Sequence, residues 1–143
     1  MEPPPQTPAQ PPPLLHPSGL TRTEVNLSMW CHLIPILVSV TGLGILGFLG
    51  PLLIQQTSTI QSAFLERHSR ESLNFQISML IYYGACAILT ILIGVFTLGL
   101  GLILAIPVFG ILIIGSFILG IIGTIKATNG EHFDYLLSIK FIK

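Results

Sequence analysis

The chain has 143 residues, of which 51% are hydrophobic and 8% are charged, and its formal net charge at pH 7 is zero. Ordinary globular domains carry about 25% charged residues, and a small soluble core cannot bury so much apolar surface. The composition therefore argues against an ordinary soluble domain and favours a membrane protein, while the zero net charge gives no indication of nucleic-acid binding.

Residues 1–26 are predicted to form a disordered, proline-rich tail. Eight of the eleven prolines lie within the first 17 positions. Proline fixes φ and lacks an N–H donor, which favours polyproline II over helix or sheet. The spacing of Pro5, Pro8 and Pro11 matches the loose PxxP pattern. This leaves two interpretations, a docking site for a proline-binding partner or simply a solvated tail.

The remaining residues, 27–143, are predicted to form an all-helical domain with three membrane spans. The first, about 27–54, contains no Asp, Glu, Lys or Arg and exceeds the roughly 20 residues that a bilayer requires. Trp30 and His32 near its start are typical of the membrane–water interface. Pro35 and Pro51 are expected to bend or break it.

A polar connector follows at 55–71. It contains two pairs of opposite charge at helical i,i+4 spacing, Glu66 with Arg70 and Arg67 with Glu71. We therefore expect a short amphipathic helix in the connector. Ser69 would then be the N-cap of the second span.

The run 72–125 contains no Asp, Glu, Lys, Arg or His. As one helix it would be roughly 80 Å long, whereas the bilayer core is about 30 Å thick. We expect two spans, about 72–97 and 102–126, joined by a tight turn that contains glycine. Two stripes of small residues are expected to form the seam of this hairpin: Thr90 and Gly94 in one span, and Ser116, Gly120 and Thr124 in the other.

The C-terminal segment, 127–143, is predicted to be short, extended and amphipathic. After Asn129 and Gly130, apolar and polar residues alternate, which favours an extended chain with one apolar face. Such a segment could lie along the membrane surface or fold back onto the helices. A short amphipathic helix is the alternative.

Three spans would place the two termini on opposite sides of the membrane. The connector and the C-terminal segment would share one side and carry five of the six Lys and Arg residues, with Arg22 on the other side. Positive residues are enriched on the cytoplasmic side. The sequence therefore predicts the N-terminus outside and the C-terminus inside.

Residues 68–76 read His-Ser-Arg-Glu-Ser-Leu-Asn-Phe-Gln, which resembles the signature His-Gly-Arg-Glu-Ala-Leu-Asn-Phe-Gln. That signature marks a bacterial family of small membrane proteins of unknown function, grouped with the chloroplast import component Tic-twenty and with the magnetosome proteins MamF and MmsF. Two shorter stretches are also similar, Trp30-x-His32-Leu33 and 126–131 followed by Tyr135. The resemblance covers about 29–142 and departs at Leu136, where the family usually has proline.

The resemblance implies a three-span protein of the bacterial cytoplasmic membrane that can form oligomers, and it implies no defined activity. The signature also supplies the best candidate site. Its members are His68, Arg70, Glu71, Asn74, Phe75 and Gln76. The site could bind a partner or lipid headgroups at the inner face. Alternatively it is a structural collar, in which charges anchor a helix end and Asn74 bonds a neighbouring span.

We expect no catalytic, cofactor or metal site. His32, His68 and His132 with Cys31 lack the spacing of metal ligands. The run 72–125 offers no ionisable side chains beyond Tyr82, Tyr83 and Cys86, whereas intramembrane chemistry depends on such groups.

The sequence therefore favours a non-enzymatic scaffold or accessory subunit. Its expected partners are membrane lipid, further copies of the chain or another membrane protein. The alternative, implied by the resemblance to Tic-twenty, is an oligomeric transport or protein-translocation component.

Overall fold

The computed structural model describes residues 15–143, and within that range it is helical, with no strand. Its helices are α1 Arg22–Val40, α2 Leu49–Thr57, α3 Ala63–Phe96 and α4 Leu102–Thr128, with one 3₁₀ turn, Gly44–Leu46, between α1 and α2. Three of them, α1, α3 and α4, are long and apolar enough to cross a membrane. The expected all-helical membrane architecture is thus confirmed, whereas the PxxP pattern lies outside the described residues.

Helix α1 begins at a complete capping box. The Thr21 hydroxyl accepts a hydrogen bond from the Glu24 amide at 3.2 Å, and the Thr21 amide donates to Glu24 Oε2 at 2.7 Å. These bonds satisfy two of the N–H groups that a helix start leaves free. The helix ends at Val40, and Gly42 follows in the left-handed region at φ 81°, as is common just after a helix.

The chain then turns back along α1. A Cβ atom at Gly50 would lie 2.5 Å from Ile34 Cγ2, and one at Gly47 would lie 3.3 Å from Pro35 Cβ. The absence of side chains at these glycines lets the returning segment pack closely on α1. The expected break in the span over 27–54 is present after Val40. The part beyond the break, however, returns along α1 instead of continuing the same span.

Helix α3 is continuous from Ala63 to Phe96, so the connector helix and the second span are one element. At 1.5 Å per residue it is about 50 Å long, and its first turns extend beyond a bilayer core of about 30 Å. Ser69 lies inside the helix, where its hydroxyl donates to Glu66 O at 2.9 Å. The prediction of Ser69 as an N-cap is therefore wrong.

A short uncharged turn joins α3 to α4. Leu98 and Gly99 have φ of 51° and 91°, and the Gly101 amide donates to Thr97 Oγ1 at 2.7 Å. Next to the turn, a Cβ at Gly94 would lie 3.2 Å from Leu102 Cδ2 at the start of α4.

The small-residue stripe of α4 was expected to pack against α3, but at Gly120 it packs against α1. A Cβ at Gly120 would lie 2.9 Å from Ile36 Cγ1, which belongs to α1. The hydroxyls of Ser116 and Thr124 donate to main-chain oxygens of their own helix at 2.8 and 2.9 Å. A hairpin seam that includes Thr90 stays a prediction.

The segment after α4 forms neither helix nor strand, so the alternative of an amphipathic helix is wrong. It folds back against α3. Tyr135 is 4% exposed, but Leu137, Ile139 and Phe141 are 47%, 41% and 50% exposed. The alternating pattern therefore does not produce one continuous buried face within the chain.

Both ends of the described chain lie at the same end of the helical bundle. Ser18, just before α1, is in contact range of Gly130, just after α4. Ser62, just before α3, lies beside Glu24 in the first turn of α1. The expectation of termini on opposite sides is therefore wrong, because the chain between α1 and α3 returns to the end from which α1 started.

This arrangement predicts the accessibility of three engineered cysteines in a Cys86→Ala background, where the remaining Cys31 is fully buried. In sealed vesicles, an impermeant thiol reagent should label Ser18→Cys and Lys143→Cys from the same side. Leu98→Cys, at a position 95% exposed in the opposite turn, should be labelled from the other side only. Labelling of Ser18→Cys and Lys143→Cys from opposite sides would contradict the fold.

Candidate functional site

Three side chains from distant parts of the sequence form one buried hydrogen-bond chain. His32 of α1 lies between His68 of α3 and Tyr135 of the C-terminal segment. Its Nε2 is 2.7 Å from His68 Nδ1, and its Nδ1 is 2.8 Å from the Tyr135 hydroxyl. The far nitrogen of His68, Nε2, is 3.1 Å from the main-chain oxygen of Glu131. The chain therefore links α1, α3 and the segment after α4.

The carbonyl at one end fixes the direction of every bond in this chain. A carbonyl oxygen only accepts, so His68 carries its proton on Nε2 and donates to Glu131. His68 Nδ1 must then accept from His32 Nε2–H, and His32 Nδ1 must accept from the Tyr135 hydroxyl. With both imidazoles neutral, every polar atom of the chain has a partner.

The hydrogen-bond chain is buried among aromatic rings. His32 and His68 are each 1% exposed. The Phe75 ring stacks on Tyr135 with centroids 4.0 Å apart at 11°, and Phe64 lies 4.5 Å from His68. Burial raises the pKa of Tyr135 above its ordinary value. The hydroxyl therefore keeps the proton that it donates to His32.

Gly123 of α4 leaves space for the hydrogen bond between Tyr135 and His32. A Cβ atom there would lie 3.0 Å from the Tyr135 hydroxyl oxygen and 3.1 Å from His32 Nδ1. Such contacts are tighter than most real Cβ contacts, so a side chain at position 123 would require the two groups to shift. The missing side chain allows α4 to cover the hydrogen bond without breaking it.

A second set of bonds holds the main chain of the C-terminal segment on α3. Asn74 Oδ1 accepts from the amides of Phe141 and Ile142 at 3.1 and 2.8 Å, and Asn74 Nδ2 donates to Ile142 O at 2.9 Å. One turn later, Ser78 Oγ accepts from the amide of Ile139 at 2.7 Å. These side chains satisfy main-chain groups that have no helix or strand partner, as buried main chain requires.

The charged residues in the signature and just before it split into two groups. Glu71 pairs with Lys140, and Arg67 pairs with Asp134 at 2.9 Å, so both bind the C-terminal segment. Arg70 instead pairs with Glu66 of its own helix. The expected Glu66–Arg70 pair is therefore present, while Arg67 and Glu71 pair with distant residues rather than with each other.

Taken together, four of the six signature positions bind the C-terminal segment: His68, Glu71, Asn74 and Phe75. Arg70 remains at the surface, and Gln76 lines a cavity between the helices. No spacing in the sequence connects His32 and Tyr135 with His68. Each of the three stretches that are similar to the family nevertheless contributes one member of the hydrogen-bond chain. Within residues 15–143, no group of three potential ligands is placed to hold a metal.

Comparison with known proteins gives a match to a family. The model of a family described as the magnetosome magnetite crystal formation protein family matches residues 23–142. No curated protein and no solved structure matches the chain. The matched region includes the five helical elements except the first residue of α1, and it includes the hydrogen-bond chain and nearly all of the C-terminal segment.

Replacing Asn74 with alanine should release the end of the C-terminal segment. The substitution removes three hydrogen bonds to residues 141–142, and each buried group left unpaired costs about 1–3 kcal/mol. We expect faster tryptic cleavage after Lys140 in Asn74→Ala. Ser138→Ala is the control, because the Ser138 hydroxyl makes no hydrogen bond among the described residues. Equal cleavage of the two variants would contradict this role for Asn74.

Tyr135→Phe should lower thermal stability, because it leaves the buried His32 Nδ1 without a donor, at a cost of about 1–3 kcal/mol. The matched control is Tyr82→Phe, which removes a bond to Leu137 O at an exposed position. A melting temperature for Tyr135→Phe that equals or exceeds that of Tyr82→Phe would show that the hydrogen-bond chain does not stabilise the fold.

Proposed function

The chain belongs to the magnetosome magnetite crystal formation protein family, and from this membership we propose that it acts as a non-enzymatic scaffold or accessory subunit of the magnetosome membrane. In this role it works through contacts of its helices with other membrane proteins or with further copies of itself.

The distribution of charge is the observation that best supports this proposal. Every charged residue among 15–143 lies at the end of the bundle where α1 and α3 begin and α4 ends, in three short stretches: 22–24, 66–71 and 126–143. The rest of α3 exposes apolar side chains, and Ile88, Ile91 and Val95 are 62–70% exposed. Such a surface belongs in lipid or against another apolar helix. A bundle with one charged end and an apolar body is compatible with a protein that binds other proteins at a membrane.

The same charge distribution indicates the orientation. All six Lys and Arg residues lie at the charged end, and positive residues favour the cytoplasmic side. We therefore propose that the charged end and both described ends of the chain face the cytoplasm. The uncharged turn around Leu98 then faces the interior of the compartment.

The proposed surface for a protein partner is the part of the charged end that the C-terminal segment leaves open. Arg70 and Glu66 pair there, with side chains 36% and 52% exposed. Beside them is a polar cleft of about 570 Å³ between the end of α2 and the start of α3, lined by residues such as Gln55, Ser58 and Gln61. The other charged signature residue, Glu71, is bound to Lys140 of the C-terminal segment. Arg70 pairs only with Glu66 of its own helix, so it is the charged signature residue proposed to meet a partner.

The proposal predicts that Arg70→Ala inserts normally and reaches normal abundance but loses a reproducible cross-link to a partner in native membranes. Mass spectrometry of the cross-linked material gives the readout. Lys143→Ala is the control for loss of one positive charge at the same end, and it should keep the cross-link. Loss of the cross-link in both variants would point to general charge rather than to an Arg70 site.

A separate experiment in a magnetite-forming host tests whether the protein is located in the magnetosome membrane and acts there. We expect the tagged protein to fractionate with magnetosome membranes, and we expect deletion of the chain to change the number or size of the crystals. Normal crystals in the deletion strain, with the protein elsewhere in the cell, would contradict the proposal. An oligomeric transport component stays a prediction that depends on how copies of the chain assemble.

A further inference from the structure

A cavity of about 590 Å³ lies between α1, α3 and α4, on the apolar side of the hydrogen-bond chain. It starts at His32 and extends along α1 to the loop at Gly42, between the stretch of α3 from Gln76 to Ala87 and the stretch of α4 from Phe109 to Gly120. These stretches lie beyond the last charged residue of α3, Glu71. The cavity is therefore at the depth of the bilayer core, and it is open on one side.

Small residues keep this space open. A Cβ atom at Gly84 would meet no atom within 4 Å, and the neighbouring wall position on the same helix is Ala87. Larger side chains at these two positions would fill the space. An open apolar cavity surrounded by lipid is filled by whatever apolar chain reaches it, since an empty space forfeits dispersion contacts.

Two polar side chains of the wall have no partner among the described residues. The carboxamide of Gln76 and the hydroxyl of Tyr83 line the cavity, seven residues apart on one face of α3, and neither makes a hydrogen bond within residues 15–143. The hydroxyls of Ser39 and Ser116, by contrast, donate to main-chain oxygens of their own helices. An unpaired amide in apolar surroundings is costly, so Gln76 calls for a ligand that can accept a hydrogen bond.

The order of groups along α3 matches the order of groups in a membrane lipid. Charged residues end at Glu71, the Gln76 amide follows about one turn later, and the small residues Gly84 and Ala87 come about two to three turns beyond it. In a glycerolipid, the charged headgroup, the ester carbonyl and the acyl chain follow in the same order with increasing depth. A free apolar molecule would not match the polar part of this series.

We propose that the cavity binds one acyl chain of a membrane glycerolipid, with its ester carbonyl accepting a hydrogen bond from Gln76 and its chain running past Tyr83 toward Ala87. This site is independent of the partner surface at Arg70. The bound lipid would complete the packing of α1 against α3 and α4 at the depth where the protein leaves a gap.

The test uses the full chain in vesicles of phosphatidylethanolamine and phosphatidylglycerol that contain a phospholipid with a photoreactive group midway along one acyl chain. The wild type should be labelled on the wall segments 79–87 and 109–117, and native mass spectrometry of the purified protein should show one retained phospholipid. Ala87→Phe should lose both signals. Ala85→Phe, an exposed position on the same helix, should keep both.

Gln76→Leu keeps the cavity's size and removes the amide, so it tests the site even if Ala87→Phe fails to fold. We expect labelling to fall about fivefold, as for the loss of one hydrogen bond. Labelling that is equal in the wild type, Ala87→Phe and Ala85→Phe would overturn the proposal. It would also be overturned by a retained molecule with the mass of an isoprenoid, or by cross-links between two copies of the chain at the cavity wall.

Discussion

The structure depends on a polar hydrogen-bond chain that is buried among aromatic rings at the charged end of an apolar bundle. Three successive hydrogen bonds run from Tyr135 through His32 and His68 to the main-chain oxygen of Glu131, and each donor has an acceptor. In such surroundings a fully paired network is stabilising, whereas a network that lacks one member leaves a costly unpaired group. The three elements that supply it must therefore be in place together, and Gly123 must remain without a side chain for α4 to cover it.

This constraint accounts for the asymmetry of the molecule. Since the hydrogen-bond chain joins α1, the start of α3 and the segment after α4, it draws every charged stretch of the described chain to one end. Asn74 and Glu71 then hold the C-terminal segment on the same surface. Most of the signature residues bind the C-terminal segment at this end, whereas Arg70 pairs with Glu66 of its own helix. Beyond the network the helices separate, and the cavity beside Gln76 lies in that gap.

The sequence predicts two long apolar helices after the connector, because a long uncharged run has no stable place except the bilayer. The predicted bounds 102–126 lie close to those of α4, and the predicted end at 97 lies next to the end of α3 at Phe96, but α3 begins at Ala63 rather than at 72. The first span was harder, since an apolar run with glycines fits a bent span as well as a helix and its return. Only the contacts of Gly47 and Gly50 with α1 decide between these two.

The candidate site was predictable in its residues but not in its partners. Local spacing favours Arg67 with Glu71, yet Asp134 and Lys140 compete for the same charges from far along the chain. His68 and Tyr135 lie 36 and 103 positions after His32, and no local pattern connects residues so far apart. Their pairing follows from the return of the chain after α1, which the sequence alone did not reveal.

The most direct test of the account is nuclear magnetic resonance of ¹⁵N-histidine-labelled protein in membranes near neutral pH. The account predicts neutral His32 and His68, both protonated on Nε2, with a measurable coupling across the hydrogen bond from His32 Nε2 to His68 Nδ1. A charged imidazole at either position, an Nδ1-protonated ring or the absence of that coupling would contradict the buried chain on which the fold depends.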